Sequence, residues 1–547
     1  MTAPSAGAAA TRLLGRLLRL RPPTSDYTVT RVVVPMRDGV ELLADHYAPT
    51  ARPVGTLLVR GPYGRGFPFS LMFAGLYAAR GYHVVLQSVR GTFGSAGVFE
   101  PIRHERDDGA DTVAWLREQP WFTGRFGTIG VSYLGSTGWA LMADPPPELA
   151  AAVVIAGPHD FSVSSWGTGA FGLADFLGWS DLMAHQEDGG RLRVGLRQLR
   201  APHLVARAAD RLPLGAAGRA LLGEGAPWYE AWVEHPDRAD PFWEPLRFDA
   251  ALERVRAPVL LLGGWQDLFL PQTLAQYRHL RDRGADVALT IGAWTHNQLL
   301  TKGLRTVSQE SLAWLDTHLG AAPRPRPCPV RVEVTGDGWR ELPDWPPATT
   351  EHTLYLQPGG GLGDTPPAAG STTFRYDPGD PTPTVGGPLL SPDGGYRDDS
   401  RLAQRADVLH FTGDVLTDDV RVHGRPVVEL AHSADNPHVD VFARVSEVDA
   451  RGRSVNVSDG YLRLGGAAEV RIELDAIAHR FRAGSRIRVL VAGGSHPRYA
   501  RNLGTAEPPV TGTRLRPATH TVHFGASRLR LPVTSSDGVA DPAGDRG

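Results

Sequence analysis

Four short runs, Thr56–Arg60 (TLLVR), His83–Gln87 (HVVLQ), Phe126–Val131 (FGTIGV) and Ala150–Ala156 (AAAVVIA), have apolar centres with no regular polar alternation. A strand that shows water neither face must be covered on both sides, and such strands belong to parallel sheets flanked by helices. Segments of helical periodicity lie between the runs: Leu71–Arg80, Asp107–Glu118 with acidic residues in its first turn, and Tyr133–Ala143. That alternation predicts a doubly wound α/β sheet. Upstream, Arg31–Pro49 reads as a hairpin turning at Met36-Arg37-Asp38-Gly39.

The pattern stops at Gly157 and resumes near Arg247 with Pro258–Gly263 (PVLLLG), a helix over Leu274–Arg283, Val287–Ile291 (VALTI) and a helix over Ser308–Leu319. The interval is helical and rich in Trp, Leu, Ala and Arg, which reads as a cap inserted over the sheet. Ala321–Pro329 (AAPRPRPCP) is a Pro-rich joint. Beyond it, short β-like runs separated by Gly, Pro and Asp turns predict an all-β sandwich or jelly roll. The expected division is an N-terminal arm over 1–25, an α/β core over 26–157 and 248–322, a cap over 158–247, a jelly-roll sandwich over 323–535 and a disordered tail over 536–547.

The 547 residues are 42% hydrophobic and 21% charged with a formal net charge of -2, an ordinary globular balance that gives no long-range field for nucleic acid. The single cysteine, Cys328, excludes an intramolecular disulfide and a Cys-rich metal site, and fits a cytoplasmic protein. No apolar stretch approaches the roughly 20 residues that span a bilayer. Thr11–Arg21 (TRLLGRLLRLR) has leucines at helical spacing among arginines. It could lie on a membrane surface, but one short basic helix with a central glycine binds lipid weakly, so a helix docked on its own protein is expected.

Gly130-Val131-Ser132-Tyr133-Leu134-Gly135 sits between a strand and a helix, the context of a nucleophile elbow, although its second glycine comes one position later than in G-x-S-x-G. A serine hydroxyl needs a base, and the base an orienting acid. In this chain order Asp267 follows the strand PVLLLGG and His296 follows VALTI, both at the carboxyl edge of the sheet. Asp237 and Asp240 are rival acids inside the cap block. The backbone N–H of Tyr133 is one expected oxyanion donor. The loop Arg60–Arg65 should hold another, and the residues alone leave open whether the Tyr63 hydroxyl donates or packs. Trp166, Trp179 and Phe269 are candidate walls of an acyl pocket. Arg90–Gly97 has glycines but no following Lys-Ser/Thr, so it reads as a structural loop. Asp107, Asp108 and Asp111 read as helix N-terminal charges in preference to a metal site.

The stretches RGPYGR, LQSVRGTFGSAGVFEP, DTVAWLREQPWFTGRFGTIGVSYLGSTGWA, GGWQDLF, GAWTHN and HPRYARNLGT, spread from about residue 30 to 505, resemble the cocaine-esterase / X-prolyl dipeptidyl-peptidase family of hydrolases. That family also holds α-amino-acid ester hydrolases and glutaryl acylases. The resemblance implies an α/β-hydrolase core, a helical cap and a C-terminal jelly roll of galactose-binding-like type. It implies a triad of Ser132, Asp267 and His296, with the Tyr63 hydroxyl and Tyr133 N–H as oxyanion hole, and makes the displaced glycine the family's own form. The expected activity is acyl transfer from a small ester or amide to water, with no metal or cofactor. Esterase, β-lactam or glutaryl acylase and X-Pro dipeptidyl peptidase stay open. A dipeptidyl peptidase must bind an α-ammonium, for which Asp175 and Asp181 are the cap candidates. A catalytically silent carbohydrate- or peptide-binding protein is the reading from another class, and a homodimer is left open.

Overall fold

The computed structural model describes residues 6–320, 326–465 and 469–534. The expected tail 536–547 and part of the Pro-rich joint lie outside them. The core is a ten-stranded sheet of β1 (Tyr27–Pro35), β2 (Glu41–Pro49), β3 (Gly55–Gly61), β4 (Tyr82–Ser88), β5 (Phe126–Val131), β6 (Leu149–Ile155), β7 (Val259–Gln266), β8 (Val287–Thr295), β9 (Val330–Val334) and β10 (Gly338–Leu342). Their order is β1-β2-β4-β3-β5-β6-β7-β8-β9-β10. From β4 to β9 neighbours are parallel, and the hairpins at the two edges are antiparallel.

Successive strand residues feed opposite layers, as a period of two requires. Leu58 and Val85 pack with the helices Glu105–Arg117, Tyr133–Met142 and Leu270–Asp282. Leu57, Val59, Val84 and Leu86 pack with the segment around Phe73–Ala78 and with the helix Leu304–His318. The near-continuous apolar runs are therefore consumed on both faces.

Between β6 and β7 the chain leaves the sheet for the helices Phe161–Trp166, Leu173–His185, Arg191–Ala209, Leu214–Leu222 and Trp228–Glu234. An aromatic cluster holds this cap together: Phe161, Phe176 and Trp232 have ring centroids 4.8–5.7 Å apart. The C-terminal part is all-β, as expected, with strands from Thr350 to Val533 around a separate apolar core.

The expected boundary at 322/323 divides the chain differently from its hydrogen bonds. The run VRVEV, assigned to the jelly roll by its β character, is β9 and pairs in parallel with β8, Leu289 opposite Val330 and Ile291 opposite Val332. Alternation specifies a strand without saying which sheet it joins, and the outer edge of β8 takes this one.

The N-terminal helix Ala6–Leu17 docks on the core. Leu14 and Leu18 pack into the layer that holds Phe73–Ala78, and the Thr11 and Tyr27 hydroxyls are 2.9 Å apart. Leu13 and Leu17 stay exposed. Among the described residues no helix is long and apolar enough to cross a membrane. Just past this helix Arg21 donates to both oxygens of Asp316 at 2.8 and 2.9 Å, and the Tyr82 hydroxyl donates to the same carboxylate at 2.8 Å. One buried carboxylate thus ties the arm, β4 and the last core helix. Asp316→Ala should cost roughly 3 kcal/mol, because it strands a largely buried guanidinium. Thermal unfolding should show a midpoint lower by several degrees; an unchanged midpoint would contradict this account.

Candidate active site

Ser132 stands between the end of β5 and the helix Tyr133–Met142 with φ +57° and ψ −124°. A non-glycine residue in that region is strained and persists only where its surroundings fix it. Its N–H donates to Ile155 on β6 at 2.8 Å. A Cβ on Gly130 would lie 2.3 Å from the Leu134 carbonyl, so the turn closes only over glycine. The displaced second glycine has a steric explanation. The Leu134 side chain occupies space left by Gly61, where a Cβ would come within 2.3 Å of it, while Gly135 packs against Gly157. The room normally made by a glycine after the nucleophile is made here from β3 instead.

Asp267 and His296 follow β7 and β8 directly, at the same sheet edge as Ser132. His296 Nδ1 and Asp267 Oδ2 are 2.8 Å apart, and Asp267 Oδ1 accepts the Phe269 N–H at 2.6 Å. Both side chains are buried, and Phe269 stands edge-on to the imidazole at 5.4 Å. The rival Asp240 instead accepts the Phe242 N–H in the cap and pairs with His235.

Tyr63 projects from the loop after β3 toward Ser132, its polar neighbour on the cavity side. Burial pushes the phenol's pKa up, so it keeps its proton and remains a donor. Trp179 Nε1 donates to the phenol oxygen at 3.0 Å. Tyr133 begins the elbow helix, where the ladder leaves its backbone N–H without an intrahelical partner. Its hydroxyl accepts the Ile102 N–H at 2.8 Å and donates to Glu105 at 2.7 Å. Ile102 lines the cavity at φ +71°, a conformation rare for a β-branched residue. Burial pushes the Glu105 carboxyl up, against the pull of Arg60 at 3.1 Å and of the Tyr133 hydroxyl. Nothing in the sequence singles out Glu105, Arg60 or Ile102, because their roles depend on a contact across a loop.

The cavity beside Ser132 draws its walls from three parts of the chain. The core gives Tyr63, Tyr133 and Phe269, the cap gives Phe161, Asp175, Phe176 and Trp179, and the C-terminal domain gives Leu390. Trp179 and Phe269 thus line the cavity beside Ser132. Trp166 is not among the lining residues: its indole N–H donates to the Trp232 carbonyl and its ring packs on Phe171 inside the cap. Local sequence cannot distinguish an aromatic that faces a pocket from one that faces a helix. Asp175 and Asp181 part in the same way. Asp181 pairs with Arg197 within the cap. Asp175 faces the cavity, with Oδ1 accepting the Leu390 N–H at 2.8 Å. Burial pushes its pKa up to about 6, opposed by the Leu390 N–H, Arg498 and His296.

Arg90–Gly97 is a loop whose Arg90 pairs with Asp38 and Asp108, and Asp111 binds Arg37. The three helix-start carboxylates therefore face arginines of the first hairpin and this loop. Among the described residues no cluster of three His, Cys, Asp or Glu could hold a metal ion.

A strained serine at a strand–helix elbow, with a paired carboxylate and imidazole past later strands of the same sheet, defines a serine hydrolase of the α/β-hydrolase class. Residues 38–298 match the model of the X-Pro dipeptidyl-peptidase (S15) family, and residues 325–530 match the X-Pro dipeptidyl-peptidase C-terminal non-catalytic domain. Cocaine esterase of Rhodococcus sp. (strain MB1 Bresler) is 33% identical over 545 residues, covering 88% of this chain and 93% of that protein. An aminopeptidase from the marine sediment archaeon Thaumarchaeota archaeon superposes with a TM-score of 0.80 at 25% identity, over 93% of this chain and 97% of that one. An α-amino-acid ester hydrolase shares the fold, with a TM-score of 0.79 at 23% identity over 98% of both chains. The chain belongs to the cocaine-esterase / X-prolyl dipeptidyl-peptidase family of serine hydrolases, which sets aside the silent binding protein.

The elbow sterics give a direct test. Gly130→Ala should push the turn off Leu134 and misplace the serine, and such a shift costs on the order of 10²-fold in rate. Labelling by a fluorophosphonate probe should slow by that much while the far-ultraviolet circular dichroism stays native. Normal labelling would show that the turn tolerates the methyl group.

Proposed function

We propose that the protein hydrolyses esters or amides of small acyl groups through an acyl-enzyme on Ser132. The observation that carries this reading is the buried His296–Asp267 pair, set past β8 and β7 at the edge where β5 presents the strained serine. His296 takes the serine proton as the hydroxyl attacks the carbonyl carbon and returns it to the leaving group. Asp267 holds the imidazole with Nδ1 protonated, and its own second oxygen is fixed by the Phe269 N–H. The developing oxyanion is received by the Tyr63 hydroxyl and the Tyr133 N–H. Water then repeats the sequence on the acyl-enzyme.

Ser132→Ala should reduce kcat by about 10⁴ or more on any good substrate, and Asp267→Asn should lower kcat far more than it raises KM, because it favours the wrong imidazole tautomer. Stopped assays on p-nitrophenyl esters measure both. Ser132→Ala activity within tenfold of wild type would exclude Ser132 as nucleophile, given the expected loss.

One observation favours substrates that carry an amine. Asp175 places the one carboxylate in a cavity walled mainly by apolar and aromatic side chains, and its Leu390 bond uses one oxygen. Its pKa near 6 means that it is charged above that pH and neutral below it. KM for an amine-bearing ester or an Ala-Pro amide should therefore rise as pH falls below about 6, while KM for a neutral ester of the same size stays flat. Parallel KM–pH profiles for the two substrates would leave Asp175 a structural role alone. Cytoplasmic residence and a homodimer belong to the same proposal: the lone Cys328 supports the first, and size-exclusion chromatography with light scattering tests the second.

A further inference from the structure

A phenol oxygen has one proton and two lone pairs, while an indole nitrogen can donate and never accept. The bond between Trp179 Nε1 and Tyr63 Oη at 3.0 Å therefore has one possible direction: the indole donates and the phenol accepts. That occupies a lone pair on the cap side of the oxygen and leaves the phenol proton to the cavity side, where Ser132 is its polar neighbour. A free phenol can turn its proton away from the serine or give it to water. This one is held with the proton toward the place where charge develops, and a donor that itself accepts a hydrogen bond is polarised into a stronger one.

The same indole also lies stacked on the Tyr133 ring, centroids 6.0 Å apart and planes 12° from parallel. Its helix, Leu173–His185, is followed by Gln186, whose Nε2 donates to the Pro62 carbonyl at 2.9 Å, one residue before Tyr63. The loop that carries the phenol is thus held from the cap at its backbone and at its hydroxyl.

We propose that Trp179 is a positioning residue for the reaction, its indole N–H fixing the Tyr63 hydroxyl as a preoriented oxyanion donor. This goes beyond its place as a pocket wall and rests on the oxyanion reading of Tyr63. A wall contributes to substrate binding, and so to KM for bulky acyl groups. An orienting hydrogen bond acts on the transition state, and so on kcat.

The test is a double-mutant cycle with Tyr63→Phe and Trp179→Phe, read as kcat and KM on a short-chain ester too small to fill the pocket. Trp179→Phe should lower kcat about tenfold, the worth of one net hydrogen bond, with KM little changed. On the Tyr63→Phe background the same substitution should cost nothing further. Replacing Trp179 by 3-benzothienylalanine keeps the bicyclic outline and exchanges N–H for sulfur. It should reproduce the kcat loss with an unchanged melting temperature, and it decides the matter if Trp179→Phe folds poorly. A kcat loss of equal size on both backgrounds, or an effect confined to KM, would overturn the proposal while leaving Tyr63 in the oxyanion hole. A fully active Tyr63→Phe enzyme would remove Tyr63 from that hole, and this inference with it.

Discussion

The backbone of Ser132 is the constraint around which the rest is arranged. A side chain at positive φ costs on the order of 1–3 kcal/mol, which the surroundings must offset and hold. Here the surroundings are steric before they are polar. The elbow helix runs so close behind β5 that Gly130 has no room for a methyl group, and Leu134 fits because β3 ends in Gly61. The glycine pattern and the order of strands β3, β5 and β6 are thus one requirement seen from three places. The Ser132 N–H to Ile155 bond then fixes the turn to the strand alongside.

Around that turn, buried polar groups are answered by other buried groups. Glu105 receives Arg60 and the Tyr133 hydroxyl, which in turn takes the N–H of the strained Ile102. Further out, Arg498 pairs with Asp459, which also holds Arg444. The carbonyl of neighbouring Pro497 accepts the Ala174 N–H at the start of the cap helix that carries Asp175 and Trp179. Charge burial of this kind is costly when a partner is missing. These pairs therefore set a defined seat for the cap more than they add net stability.

What the sequence made legible was local. Apolar runs covered on both faces gave the strands of the sheet, and the elbow glycine with two strand ends in the right order led to Ser132, Asp267 and His296, which the fold brings to one edge. What it hid depends on which distant surface a segment meets. The run at Val330–Val334 has the same alternation as the jelly-roll strands, yet it completes the core sheet because the β8 edge is open to it. Trp166 and Trp179 are both cap tryptophans, and only the packing of helices turns one toward Phe171 and the other toward Tyr63. Leu390 lies in a Gly/Pro-rich stretch with nothing to mark it as a cavity wall.

The wall at Leu390 has a consequence for how the protein comes into being. A chain emerges from the ribosome from its N-terminus, and domains tend to fold as they appear. Ser132, Asp267 and His296 are all synthesised before the C-terminal domain begins, whereas Leu390, which lines the cavity, and Pro497, which binds the cap helix, arrive late. A nascent chain would thus carry Ser132, Asp267 and His296 in a cavity still missing its Leu390 wall, with the cap helix short of one of its anchors. The cavity would thus be completed only when the last domain docks, after the sheet that bears Ser132 has formed.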